Sequence, residues 1–261
     1  MNPMFQRLGL IIGQSALESL EAARVLVFGV GGVGSWAAEA LIRSGIGCIG
    51  IVDSDAVCIT NINRQTQAVF GNIGKPKVTA LKDRLLGINP SCSVEAFETV
   101  FSKENVGIFG IEKADYVIDA IDSLSFKLDL IETAFHAGVP LFSSMGMAQK
   151  LDPTKLQVAD IWDTHGCPLA RLVRQGLRKR GFDGSFTVVF SPERLPLHRE
   201  ITAMCGNERC FCSVKNEMDW CASKKVINGS AVTVTASAGM ILASLVVNAI
   251  VDHEKAVENV L

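Results

Sequence analysis

The sequence predicts an α/β fold, a doubly wound and mostly parallel sheet with an irregular, cysteine-containing C-terminal extension. Three observations carry that prediction. A strand, a glycine turn, a helix and a second strand follow one another between Arg24 and Asp53. Strand and helix patterns then keep alternating as far as Ser143. Hydrophobic residues make up 48% of the 261 positions, ample for the buried core of one large domain.

The elements follow in order. Arg24–Phe28 is a short apolar run with the character of a strand buried on both faces. Gly29-Val-Gly31-Gly32-Val-Gly34 succeeds it, and Ser35–Ser44 is a strong helix former ended by Gly45. Cys48–Val52 is a second buried strand closing on Asp53, which completes a βαβ unit with a right-handed crossover. A helix is expected over Lys75–Leu86, strands at Ser93–Phe97 and Tyr116–Asp119, a helix over Ser125–Ala137 and a strand at Pro140–Ser143. Beyond Lys150 the alternation weakens to a strand near Leu156–Ala159, a helix near Leu169–Arg180 and a strand at Thr187–Phe190. Residues 151–230 read as a less regular region inside a single domain of 1–261, because no repeat, low-complexity tract or linker divides the chain. From Ala231 to Val251 the chain is mostly apolar, yet Thr233, Thr235, Ser237, Ser244 and Asn248 interrupt it. A core strand running into a buried helix suits that pattern better than a membrane span, which needs about 20 apolar residues.

Lys and Arg number 25 against 27 Asp and Glu, so only a local patch, not the whole molecule, can attract a polyanion. The start Met1-Asn2-Pro3-Met4 lacks the features of a signal peptide, which makes a cytoplasmic, reducing setting the expectation. The eight cysteines then read as free thiols or metal ligands rather than a disulfide framework.

Gly29, Gly31 and Gly34 give G-x-G-x-x-G at a strand-to-helix junction, with Gly32 between them. Glycine lets the backbone approach a phosphate, and the helix N-terminus points N–H groups at that charge. Asp53 ends the second strand, where a ribose hydroxyl is expected. No Lys precedes Ser35, so the turn is not the usual triphosphate loop, and a nicotinamide dinucleotide is its default ligand. The polar segment from Asp53 through Asp55 to Gln65, and Gly74-Lys75-Pro76-Lys77 after it, suit a triphosphate better. Such a ligand needs cations, and Arg64, Lys75 and Lys77 lie one loop from the turn. It also brings magnesium, and Asp119-Ala-Ile-Asp122 supplies two carboxylates at the end of a strand.

Taken together, Gly29–Leu41, Thr60-Asn-x-Asn-Arg-Gln65, Gly74-x-x-Lys77, Ile88-Asn-Pro90 and Val117–Ser123 resemble the ubiquitin-activating-type ATP-binding superfamily, that of MoeB and ThiF, with its Rossmann-like fold. Within it the chain is most similar to the tRNA threonylcarbamoyladenosine dehydratases. That pattern extends to Asp152-Pro-Thr154, Pro168-Leu-Ala-Arg171, Val188–Ser191 and Asp219–Ser223. The resemblance implies an enzyme that adenylates the carboxylate of threonylcarbamoyladenosine in tRNA and then closes a ring with loss of water. It implies ATP and Mg2+, with Asp53 at the ribose and Asp122 organising the metal. Gly29, Gly31, Gly32, Gly34 and Asp55 would contribute to the nucleotide cradle. Asn61, Arg64, Gln65 and Lys77 would hold the triphosphate. Arg7 is matched with an N-terminal arginine that reaches the partner subunit's site in a homodimer. A cysteine desulfurase or sulfur-acceptor protein is a further implied partner, and DNA is not.

The rival substrate is the C-terminal glycine of a sulfur-carrier or ubiquitin-like protein, whose activating enzymes often carry paired C-x-x-C motifs that this sequence lacks. A nicotinamide-dependent oxidoreductase is the third reading. Favouring tRNA, Arg171, Arg174 and Arg178 fall on one face of the predicted helix, Lys179 and Arg180 extend it, and Leu169, Leu172, Val173 and Leu177 lie opposite. Cys205, Cys210, Cys212 and Cys221 can supply four thiolates to Zn2+ without the usual knuckle spacing; free or redox-sensitive thiols are the alternative. Cys167 stands where relatives often have Asp, and Cys48, Cys58 and Cys92 read as small core residues.

Overall fold

The computed structural model describes residues 2–195 and 228–258. Its seven strands are β1 (Arg24–Phe28), β2 (Cys48–Val52), β3 (Ser93–Phe97), β4 (Tyr116–Asp119), β5 (Leu141–Ser144), β6 (Gln157–Asp160) and β7 (Thr187–Phe190). They form one sheet in the order β3-β2-β1-β4-β5-β7-β6, parallel throughout except for the antiparallel edge strand β6. β6 and β7 extend the same sheet, at the positions where the sequence places its two strands after Lys150.

Seven α-helices accompany these strands among the described residues: α1 (Gln6–Ile12), α2 (Gln14–Ala22), α3 (Gly34–Arg43), α4 (Lys77–Ile88), α5 (Leu124–His136), α6 (Pro168–Lys179) and α7 (Val232–Glu258). β1 shows why the sheet needs cover on both sides. Its Val25 and Val27 enter one core with α2, α3, α4 and α7, while Leu26 and Phe28 enter a second core with α5 and α6. All four are fully buried, which is what a continuous apolar run in a parallel strand requires.

The C-terminal apolar stretch departs from expectation. Val232-Thr-Val-Thr235 is helical, the first turn of α7, rather than a strand. β-Branching weakens a helix only slightly, and tertiary packing outweighs it here. Gly239 lies so close to α3 that a Cβ on it would stand 2.5 Å from the Val33 carbonyl oxygen and 2.8 Å from Trp36 Cβ. α7 is long and apolar enough to cross a membrane by composition. Nevertheless Val234, Ala238, Leu242, Val246 and Ile250 are buried against the protein, and Ser244, Asn248 and Asp252 are exposed. It is a core helix, as the interruptions in the run imply.

The strand order reverses direction between β1 and β4. The carboxyl ends of those two strands therefore flank the crevice where doubly wound sheets bind ligands.

Candidate active site at the carboxyl edge of the sheet

The glycine turn leaves β1 at this crevice. Gly29 adopts φ +83°, in the left-handed region that side chains disfavour, and donates its N–H to the Val52 carbonyl. A Cβ at Gly34 would lie 1.9 Å from the Gly29 carbonyl oxygen, so only glycine lets α3 begin this tightly. The turn is held from both sides. Asp53 Oδ2 accepts the Val30 N–H at 2.9 Å, and Gln67 Nε2 donates to the Val30 carbonyl at 2.8 Å.

The residues after β2 fold back onto this turn. Arg64 follows a 3-10 turn over Ile59–Asn61, and Trp36 Nε1 donates to the Arg64 carbonyl at 2.9 Å, tying the segment to α3. The Cγ and Cδ of Arg64 lie 3.2 Å from where a Cβ on Gly32 would be, and Gln65 Nε2 lies 3.9 Å from the same point on Gly31. The Arg64 guanidinium donates to Thr60 O and Asn63 Oδ1 of its own loop, while its aliphatic stem lies over Gly32. Asn61 spends its amide oxygen on the Cys58 N–H at 3.1 Å and so shapes the loop as well as lining it.

Lys77 opens α4 beneath the same crevice and is buried. Its Nζ lies 2.6 Å from Asp55 Oδ2 and 3.5 Å from Asp53 Oδ1. Burial alone would pull the ammonium down, but the two carboxylates more than offset it and raise it above the ordinary lysine value. Lys77 is thus held as a cation and joined through Asp53 to the glycine turn. Lys75, by contrast, is exposed and donates to Asn72 Oδ1, so it stands apart from this cluster.

The segment after β4 completes the crevice, with one correction. Asp119 is not a second carboxylate for the ligand: it is fully buried. Its Oδ2 accepts Lys127 Nζ at 2.6 Å and Ser143 Oγ at 2.6 Å, and its Oδ1 accepts the Ile121 N–H at 3.0 Å. Only Asp122 of the pair is exposed at the edge. The turn that carries it is pressed onto the glycines, for a Cβ on Gly29 would meet the Ala120 carbonyl at 2.8 Å.

Two participants were not anticipated from sequence. Lys127 occupies an apolar position of α5, at the spacing of Ile131 and Ala134, and a lysine in that place signals a buried partner. Thr235 of α7 comes within 3.3 Å of a Cβ placed on Gly32, a contact from the far end of the chain.

Arg7 lies elsewhere. Phe5, beside it, packs its ring 3.6 Å from a Cβ placed on Gly45, at the C-terminal end of α3. The ten residues of α3 separate that end from the glycine turn, about 15 Å at the helical rise. Within one chain Arg7 is remote from the crevice.

The basic face of α6 is also less open than its sequence implies. Arg174 donates to Thr164 Oγ1, Arg178 lies over the Trp162 ring at 5.3 Å, and Arg180 pairs with Asp129 and Glu132. Leu172 is exposed, and Ala170, Val173 and Leu177 make the buried stripe. Arg171 and Lys179 are exposed. Cys167 is buried at the start of α6; Cys58 and Cys92 are buried and Cys48 half-buried. The proposed zinc ligands Cys205, Cys210, Cys212 and Cys221 lie outside the described residues, as does Asp219–Ser223. Among the described residues no His, Cys, Asp and Glu group has a metal-holding arrangement.

Comparison with known proteins places this geometry. The model of the ThiF family matches residues 5–261. A tRNA threonylcarbamoyladenosine dehydratase of Bacillus subtilis is 45% identical over 205 residues, 78% of this chain and 81% of that protein. One of Escherichia coli is 37% identical over 241 residues, 90% and 88% of the two chains. The crystal structure of the E. coli tRNA N6-threonylcarbamoyladenosine dehydratase in complex with ATP superposes with a TM-score of 0.81 at 32% identity, covering 97% of this chain and 96% of that one.

Proposed function

The chain belongs to the ThiF family, and from that premise we propose that it uses ATP to adenylate the carboxylate of threonylcarbamoyladenosine in tRNA and then closes the modification to a ring. The observation that carries this reading is the gathering of Arg64, Lys77 and the Asp122 turn about one glycine turn, in a chain alike over nearly its whole length to a dehydratase solved with ATP.

In the first step an oxygen of the substrate carboxylate attacks the α-phosphorus of ATP. The bond to the bridging oxygen breaks, and pyrophosphate leaves with that electron pair. Charge grows on the phosphoryl oxygens, where preorganised donors act most strongly. Backbone N–H groups of the glycine turn and the start of α3 bind the phosphates, and Arg64 and Lys77 offset the added charge. Asp53 stands at the end of β2 for the ribose. In the second step the carbamoyl nitrogen or oxygen attacks the activated carbonyl carbon, AMP departs with the carboxylate oxygen, and a proton is lost. The net change in the tRNA is removal of one water. No enzyme nucleophile is required, consistent with a buried Cys167.

A single exposed carboxylate beside phosphate oxygens suits magnesium, which prefers hard oxygens and keeps several waters. Asp122 would hold it, and when bound it would neutralise phosphate charge. The position of Arg7 supports a homodimer: α1 turns Arg7, Leu10 and Ile11 outward together, and both apolar residues are 82% exposed. Pairing of two copies would cover them and bring Arg7 to the other copy's crevice.

The direct test is a mass spectrum of tRNA nucleosides after incubation with the protein, ATP and magnesium. Loss of one water from threonylcarbamoyladenosine, with AMP and pyrophosphate formed, is the expected result. Pyrophosphate exchange stimulated by a carrier protein ending in Gly-Gly, and not by tRNA, would replace tRNA with that substrate. Binding of NAD in preference to ATP would end the adenylation reading. Asp122→Ala and Arg64→Ala should each abolish turnover while the fold remains.

A further inference from the structure

Lys127 has no access to solvent or substrate, yet its ammonium donates to three partners within the protein. Its Nζ donates to Asp119 Oδ2 at 2.6 Å, to the Ser144 carbonyl at 3.0 Å and to Ser143 Oγ at 3.2 Å. Lysine and aspartate are both fully buried. A buried ion pair seldom adds net stability over an apolar pair of similar volume, because both ions must be desolvated. Its presence therefore asks for a purpose other than holding the fold.

The geometry supplies one. Asp119 ends β4, and its Oδ1 accepts the Ile121 N–H two residues on, which bends the chain sharply out of the strand. Ala120 sits at the top of that bend. Its N–H bonds the Phe28 carbonyl at 2.8 Å, its own carbonyl faces Gly29, and its Cβ lies 3.2 Å from a Cβ placed on Gly34. Asp122 is presented by the same bend, one residue before α5 is entered through Ser123. One side chain thus fixes the mouth of β4, the glycine turn and the carboxylate relative to one another. Its charge matters too. Two carboxylates three residues apart would repel each other and a triphosphate, and Lys127 offsets the charge of Asp119.

We propose that Lys127, acting through Asp119 and Ser143, is a positioning residue that sets Asp122 against the phosphate turn and so governs how magnesium enhances ATP binding. The inference rests on the ATP–magnesium reading of the site. In the folded enzyme, β4, β5 and α5 would then act as one rigid mount for the metal-side carboxylate.

The test uses the full chain and calorimetric titration of ATP with and without magnesium. Lys127→Met alone would strand a buried carboxylate and unfold the chain, so the informative variant is the neutral pair Asp119→Asn/Lys127→Met. Ser143→Ala, which keeps the ion pair, is the milder companion. The paired variant should keep most of the metal-free affinity for ATP while the gain on adding magnesium falls roughly tenfold or more, the usual effect of losing a residue that orients a metal ligand. Ser143→Ala should lose part of that gain, and it keeps the test open if the paired variant does not fold. A merely structural role would weaken ATP binding equally with and without magnesium, and that outcome overturns the proposal. So does an undiminished magnesium gain in both variants. Asp122→Ala is the control that separates two failures. If it abolishes the gain and the others do not, the mount is wrong but the site stands; if it too leaves the gain intact, Asp122 is not the magnesium residue and the site reading itself fails.

Discussion

Lys77 shows how a residue's neighbours set its chemistry. A buried lysine on its own drifts toward neutrality, but Asp53 and Asp55 hold this one charged, and Asp53 in turn binds the Val30 N–H. Lys77→Met should therefore lower the rate of tRNA-dependent pyrophosphate release by about a hundredfold or more, the scale of losing one donor to a developing oxyanion. It should also lower the melting temperature, since the substitution leaves two carboxylates uncompensated. A variant that melts lower but turns over at the parental rate would remove Lys77 from the chemistry. The glycines, Arg64 and Lys77 were legible in the sequence, because spacing after a strand fixes where such residues emerge. The fate of Asp119 was not. It depends on Lys127 a full helical turn into the next element and on Ser143 from the adjacent strand, and only tertiary pairing brings those three together.

Elements behave similarly. The parallel strands and the helices between them could be read from apolar runs and their punctuation. The first turn of α7 is not legible in the sequence, because Val-Thr-Val-Thr has strand character locally and its conformation is decided by a distant partner, α3. Gly239 is the point of contact between the two helices. Gly239→Ala improves intrinsic helix propensity by about 1 kcal/mol. Its added methyl would nonetheless fall 2.5 Å from the Val33 carbonyl and 2.9 Å from the Ala37 nitrogen, backbone atoms at the very start of α3. Overpacking of this kind costs about 1–3 kcal/mol, so thermal or urea unfolding should show a net loss. Because Val33 and Gly34 close the glycine turn and open α3, ATP affinity should fall with it. A variant as stable as the parent would mean that α7 slides freely on α3.

For the whole molecule, the question is whether one chain holds a complete site. The crevice draws on β1, β2, β4 and the starts of α3 and α4, all from a single chain, yet Arg7 stands at the opposite end of α3 with Leu10 and Ile11 exposed beside it. The charged surface offers a second global constraint. α6 leaves the carboxyl edge near Gly146, where Leu169 packs, and its twelve residues run about 18 Å away. Arg171 is then at the carboxyl-edge end of the helix, and the Arg178–Arg180 end is away from that edge and partly neutralised by Asp129 and Glu132. Nucleic acid would be gripped near the site more than along the whole helix. The arrangement of Arg7 makes a sharper prediction. If it serves the partner subunit's crevice, Arg7→Ala and Arg64→Ala are lesions in different places of each composite site. Each homodimer should be inactive. In a mixed dimer one crevice carries both lesions and the other neither, so co-expression of the two variants should restore about a quarter of parental turnover, given random pairing of a two-fold dimer. Turnover in the co-expressed preparation no higher than in either inactive variant alone, with mixed dimers demonstrated by differential tags, would mean that Arg7 does not serve the partner subunit's crevice.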